Sequence, residues 1–522
     1  MVAPSTTTAS KFLLRPGLPG QKTAAAARLR STMPENSTPG YSRYPRIGSH
    51  RDVDAFREHL HRLCDEIPVD DEILPAPGSP LAGEIQICGK VASNRWAIQP
   101  MEGWDGREDG SPGELTLQRW RRFGLSGAQL IWGGEAVAVE GDGRANPNQL
   151  VIADNTLGGL ESLRQALLEA HSDRFGSPGE PVIGLQLTHS GRYARPAKDG
   201  PNRPRAAFRH PILDDRVGIR DEAAVLSDGE LAALTESFVT AATRAGELGF
   251  DFVDIKHCHG YLLHEFLGAH TRSGPYGGSF ENRTRLLRDI VAGIRRDAPG
   301  LPIAVRVSIF DTIPFRPGAD GSGGVPEELP EDGPYRWGFG VDMANPEEAD
   351  LAEGRKFLEL LQELGIELVN LSAGSPYYNP HLQRPALYPP SDGYLPPEDP
   401  LESVIRHLQA TRALKREFPG LVITGSALSY LQDYLPQVAQ GLVRDGWMDF
   451  VGIGRMALSY PDLPADTLEK GSLARKLICR TFSDCTTAPR KGLPSGCYPL
   501  DDHYRSLPEA ETLRELKKNR PD

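Results

Sequence analysis

From about residue 90 onward the chain alternates short, continuously apolar runs rich in β-branched residues with longer amphipathic stretches, and this rhythm limits the folds open to it. The runs fall at 96–100, 128–132, 182–188, 252–256, 303–307, 367–371, 421–424 and 450–453. Between them, 160–170, 229–248, 283–296, 348–364 and 401–418 carry apolar residues at helical spacing. A strand apolar on both faces is buried on both faces, as in a parallel sheet, and the intervening helices supply the crossovers. Eight such units predict an α/β fold that closes into a (β/α)8 TIM barrel. An open doubly wound sheet is the other arrangement, but no G-x-G-x-x-G follows any of the runs.

The barrel is expected to fill residues 81–470. Residues 1–45 are rich in Thr, Ala, Pro, Gly and Arg, and 1–34 hold five basic side chains and no acidic one. This composition predicts a disordered extension or a mitochondrial transit segment, although Pro4, Pro16 and Pro19 interrupt the amphipathic helix a transit segment needs. Residues 46–80 read as a helical linker, with the helix around 52–64, and 471–522 as a cysteine-bearing tail. The 522 residues include 58 Lys and Arg against 70 Asp and Glu, a formal net charge of −12, which leaves −17 outside the first 34 residues. A body this acidic argues against nucleic acid as a partner. No apolar run approaches the roughly 18 residues that cross a bilayer, so no membrane is expected either. Six cysteines are too few for a disulfide scaffold and predict a reducing compartment, the cytoplasm, or the mitochondrion if 1–34 is a transit segment. The expected partner is a small-molecule substrate, with homo-oligomerisation left open.

In a (β/α)8 barrel the chemistry sits where the strands end. Gln99, Pro100, Met101 and Glu102 follow the first run, and Gln186 lies near the end of the third. The fourth leads into Lys256, His257, Cys258, His259, Gly260 and Tyr261, and the fifth ends in Arg306. Gly425-Ser426 and Gly454-Arg455 close the last two. Glycines there, with one guanidinium, suit a phosphate as well as they suit plain turns. Lys256 and His259 together can polarise a carbonyl, and Tyr261 can supply a proton. His257-x-His259 also has the spacing of a metal-dependent barrel hydrolase. That chemistry needs carboxylate or imidazole ligands from other strand ends, where this chain has Arg306, Ser372 and Arg455, so no metal ligand is assigned. Two long Pro- and Gly-rich loops, 311–345 and 375–400, fall on the same rim. Their aromatics Tyr335, Trp337, Phe339, Tyr377 and Tyr378 predict an ordered lid.

The stretch from Gly249 through His259-Gly260-Tyr261 to Leu267, followed by Tyr276-Gly277-Gly278-Ser279-Phe280-Glu281-Asn282-Arg283, resembles the fourth-strand signature of the Old Yellow Enzyme family, FMN-dependent NAD(P)H:flavin oxidoreductases. Asn94-Arg95, Pro100-Met101, Gln186 with His189-Ser190-Gly191-Arg192, Arg306-x-Ser308 and Gly452-x-Gly454-Arg455 match in family order, over about residues 80–470. The resemblance implies an ene-reductase reaction: NADH or NADPH reduces FMN, and hydride then passes to an alkene conjugated to a carbonyl or nitro group. It further implies that Pro100 and Met101 lie against the flavin, that Gln186 bonds its pyrimidine edge and that Arg306 sits near N1 and O2. Gly425, Ser426, Gly454 and Arg455 would hold the phosphate, His259 and Lys256 the substrate oxygen, and Tyr261 would donate the proton.

Three departures from the family pattern qualify this. Lys256 stands where the family has histidine, which suggests a more anionic substrate. Glu102 stands where a Thr or Cys usually follows Pro-Met, beside the flavin. A carboxylate there lowers the flavin's potential unless it turns to Lys256 or to a substrate ammonium, which makes amine oxidation or N-demethylation the alternative reaction. Larger relatives bind an iron–sulfur cluster through C-x2-C-x3-C-x11-C after the barrel. Here Cys485-x11-Cys497 reproduces the last interval, but Ile478 and Thr481 fall on the first two positions and Cys479 is one residue off. The four-thiolate set is incomplete, so the three cysteines read as a vestige of the cluster loop.

Overall fold

Eight parallel strands form the centre of the protein: β1 (Trp96–Ile98), β2 (Leu130–Ile131), β3 (Val182–Thr188), β4 (Phe252–Ile255), β5 (Ile303–Ser308), β6 (Leu368–Ser372), β7 (Val422–Gly425) and β8 (Phe450–Ile453). Each pairs with its neighbours in chain order, and β8 returns to β1 through Val451–Trp96 and Ile453–Ile98, so the sheet closes. All eight expected runs are strands of one (β/α)8 barrel. The structure, a computed structural model, describes residues 43–518 except 177–178, 199–201, 320, 322 and 330–332. The expected extension 1–45 lies, but for its last three residues, outside the described residues.

The crossovers are α1 (Glu114–Leu125), α2 (Leu157–Phe175), α3 (Asp228–Glu247), α4 (Arg285–Asp297), α5 (Ala352–Glu363), α6 (Pro400–Glu417) and α7 (Leu435–Arg444). Their starts obey local chemistry. Ser227 and Glu230 form a capping box on α3, each side chain satisfying the other's backbone N–H. Asp399 caps α6 just ahead of Pro400. Inside the barrel the layers pack closely: a Cβ on Gly184 would stand 2.2 Å from the Phe252 ring, so only glycine lets that ring fill the centre. Below this layer an antiparallel hairpin, Ile85–Ile87 with Lys90–Ala92, packs Ile87 and Ala92 on Trp132 and Phe252 and plugs the N-terminal end.

The other end is the working face. The loops after β5 and β6 are tied together there: Tyr378 Oη donates to Asp311 Oδ2 at 2.6 Å, and the Phe315 N–H to the Tyr378 carbonyl at 2.8 Å. Before the barrel, a helix over Val53–Leu63 is anchored through His59 Nε2 to Asp399 Oδ2 at 3.0 Å. After α7 and β8, the chain runs through Leu463–Lys470 and three further helices, Asp484–Arg490, Asp502–Ser506 and Glu509–Lys518. Arg122 on α1 pairs with Asp501, and Arg490 with Asp392, so this last segment folds back onto the rim.

Candidate active site

The turn after β4 sets the geometry. His259 (φ +67°) and Gly260 (φ +77°) both take the left-handed region, and a Cβ on Gly260 would meet Ser375 Oγ at 2.8 Å. A histidine held there is backbone strain of the sort that persists where surrounding structure imposes it. Here the His259 N–H is held by Ser308 Oγ at 3.0 Å. The reversal brings Lys256, His259 and Tyr261 to one cavity. Pro100, Met101, Glu102, Gln186, Arg306, Ser426, Gly454 and Arg455 line the same cavity. Gly425 stands behind the wall, its carbonyl accepting from Gln99 Nε2 at 3.2 Å.

Glu102 is the hub on the side of Tyr261. Lys256 Nζ lies 2.5 Å from its Oε1, while Tyr261 Oη at 2.7 Å and Trp104 Nε1 at 3.0 Å both donate to its Oε2. Lys256 also sits over the Tyr261 ring, 3.9 Å from the centroid, and Tyr377 Oη lies 3.1 Å from Tyr261 Oη. Burial and the Glu102 carboxylate push the Tyr261 phenol well above its ordinary range, so it keeps its proton. Lys256 is therefore a neutralised cation, and the case for an anionic substrate that rested on it loses its basis. His259 Nε2 is 2.9 Å from Ser372 Oγ, and burial with the nearby cations holds its pKa well down, leaving it neutral.

Deeper in the barrel, Asp254 fixes two of the expected residues. Gln186 Nε2 donates to its Oδ2 at 2.5 Å, Trp132 Nε1 to the same oxygen at 2.7 Å, and the Arg306 backbone N–H to Oδ1 at 2.7 Å. The Arg306 side chain lines the cavity with a buried Nε that has no partner. Arg455 is in the same condition: its Nη2 donates to the Pro385 carbonyl at 2.8 Å and its buried Nη1 has none. Next to it, a Cβ on Gly452 would come within 2.0 Å of Gln99 Nε2, so the wall there admits no side chain.

The His257-x-His259 pair separates. His257 Nδ1 bonds the Ile255 carbonyl at 2.7 Å while its ring packs on Phe357, away from His259. Among the described residues, the metal-competent grouping is Glu140, Asp142 and His189. His189 Nδ1 accepts the Gly191 N–H at 3.0 Å, and burial lowers its pKa to about 4, so the neutral ring carries its hydrogen on Nε2. Of the tail cysteines, Cys485 lines the cavity; burial raises all three thiols, and Cys479 and Cys485 add to the effect on Cys497. Sequence reasoning missed Asp254, although a lone carboxylate inside an apolar strand marked it. It also missed Gln383, Arg384 and the tail residues Thr486, Arg490 and Ser495, which are part of the cavity wall.

Residues 84–321 match the model of the NADH:flavin oxidoreductase / NADH oxidase family. The chain is similar to an NADH:flavin oxidoreductase of Gibberella zeae, 30% identical over 254 residues that cover 46% of this chain and 54% of that protein. It is also similar to the NADPH dehydrogenase of Bacillus subtilis, 33% identical over 233 residues, 44% of this chain and 63% of that one. It thus spans just over half to less than two thirds of these curated relatives. Among solved structures, the Old Yellow Enzyme homologue from Zymomonas mobilis shares the barrel at a TM-score of 0.52 and 22% identity, over 76% of this chain and 94% of that one. Residues 84–321, just under half of the chain, are thus similar to the NADH:flavin oxidoreductase / NADH oxidase family, and the closed barrel is the fold of the Old Yellow Enzyme homologue.

Proposed function

We propose that the protein is an FMN-dependent NAD(P)H oxidoreductase that reduces activated alkenes, with Tyr261 as the proton donor. The observation that carries this is that two of the three unsatisfied guanidinium N–H groups in the cavity stand at strand ends, Arg306 Nε from β5 and Arg455 Nη1 after β8. Buried donors without partners cost about 1–3 kcal/mol each, and a flavin with an electron-rich N1–O2 edge and a phosphate answers both. Gln186, its amide held by Asp254, would present its remaining oxygen to the pyrimidine edge. Pro100 and Met101 would lie along the ring, and Ser426, Gly454 and Arg455 would take the phosphate, with Gly425 shaping the wall behind them. Bound FMN would supply hydride chemistry, accepting hydride from NADH or NADPH and delivering it to the β-carbon of an alkene conjugated to an electron-withdrawing group.

The chain's own contribution is orientation and proton transfer. His259, neutral and fixed by Ser372, would hold the substrate's oxygen as negative charge gathers there. Tyr261 Oη would release its proton to the α-carbon, and Glu102 fixes the position of the hydroxyl. Glu102 is engaged by Lys256, Tyr261 and Trp104 rather than offered to a substrate ammonium, which favours this reading over amine oxidation.

Tyr261→Phe tests this reading. NAD(P)H should reduce the flavin of the variant at its normal rate, while anaerobic reoxidation by an activated alkene slows by about 10²–10⁴-fold. Unchanged reoxidation would remove Tyr261 as the donor, and protein that takes up no FMN would remove the flavin reading altogether.

A further inference from the structure

Like Arg306 and Arg455, Arg384 brings a buried, unpartnered guanidinium N–H to the cavity, and it stands on a different wall. It follows Gln383, whose Nε2 lies 3.3 Å from His259 Nε2, and so belongs to the side that holds substrate. Its Nη1 donates to the hydroxyl of Thr486, and its buried Nη2 has no partner. Among the described residues no carboxylate pairs with it. Instead Arg490 and Arg455 surround it; burial first, then these two cations, lower its pKa to about 9. Arg490 stands beside it on the same wall, aligned by Asp392 and by a 3.0 Å bond from Nη2 to the Pro376 carbonyl. The fields of both arginines reach Tyr377, the hydroxyl partner of Tyr261, and that of Arg384 reaches His259.

A guanidinium left buried without a counter-charge is a large standing cost unless something else brings the charge. The carboxylate within the cavity wall, Glu102, is committed to Lys256. Arg455 has its own unsatisfied N–H for a cofactor phosphate, so a second anion is needed on the Tyr377 side. Guanidinium edges match carboxylates in a planar, bidentate way. We propose that Arg384, backed by Arg490, forms a carboxylate subsite that binds the acid group of the substrate. This rests on the reading of the cavity as the substrate site and names the substrate class, an unsaturated carboxylic acid.

The test is titration of the oxidised FMN holoenzyme with cinnamate and with methyl cinnamate, read by flavin absorbance and by tryptophan fluorescence, Trp104 being part of the wall. Cinnamate should bind at least tenfold more tightly than its ester. Arg384→Gln should erase that preference while moving ester affinity less than threefold, and Arg384→Lys should keep part of it. Equal affinities in the unaltered holoenzyme would overturn the proposal, as would an equal loss for acid and ester in Arg384→Gln. A third result would overturn it too: Arg384→Gln abolishing the preference for FMN over riboflavin, which would give Arg384 to the flavin phosphate. If the acid preference holds but neither compound reoxidises NAD(P)H-reduced enzyme, the subsite stands and the alkene-reductase reading falls.

Discussion

Glu102 binds three side chains from three parts of the chain: Lys256 at the end of β4, Tyr261 beyond the turn, and Trp104 on its own loop. Lys256 is almost wholly enclosed, its side chain 3% exposed, so its charge is tolerable only beside a carboxylate. Glu102→Gln should therefore destabilise the protein by about 3–5 kcal/mol, the range for breaking a buried pair. Glu102→Gln with Lys256→Met should recover more than half of that loss in urea denaturation; losses that simply add would show that the pair is uncoupled. The identity of Glu102 as a departure was legible in the sequence, but its choice of partner was not. One residue offered a negative charge to two kinds of ligand, and only the approach of Lys256, 154 positions away, settles it. Arg384 was illegible for a related reason: its isolation depends on Thr486 and Arg490, about a hundred residues later, and no local pattern encodes that.

At the scale of elements, the eight strands were legible because a strand buried on both faces needs apolar residues at nearly every position, a signal that survives without an alignment. The rim loops were legible in extent and in their aromatics, but not in what joins them. That is Asp311, which accepts from Tyr378, from Asn379 and from the Thr312 N–H at 2.8 Å. Burial outweighs these donors and raises its pKa from 3.8 to about 6. A carboxyl whose folded pKa is raised gives its full stabilising contribution below the unfolded pKa and loses it as pH climbs through the folded one. Between pH 4 and pH 6 the protein should accordingly lose up to about 3 kcal/mol of stability from this group, at 1.36 kcal/mol per pKa unit. Asp311→Asn should flatten that part of the profile in urea titrations at successive pH values; an unchanged slope would assign it to other groups.

For the molecule as a whole, the main departure from a bare barrel is the segment after β8. Its cysteines drew attention in the sequence, whereas Cys485, Thr486, Pro489, Arg490 and Ser495 enter the structure as wall. The Arg122–Asp501 pair fastens this segment to α1, and Lys517 Nζ holds Asp484 Oδ1 at 2.6 Å within it. Asp501→Ala should speed amide hydrogen exchange across residues 484–506 while the barrel strands keep their protection, as expected where a locally stable unit loses its tether. Uniformly faster exchange would mean that the segment and the barrel open together.

That arrangement also separates two kinds of inheritance. On the proposed function, hydride chemistry would belong to residues at strand ends, which the closed barrel holds in place, while much of what a ligand would meet on the opposite wall comes from a stretch of fewer than forty residues after the last crossover. Exchanging residues 479–506 between relatives would then be a graft of taste without a change of trade: a new choice of compound on an untouched reaction centre.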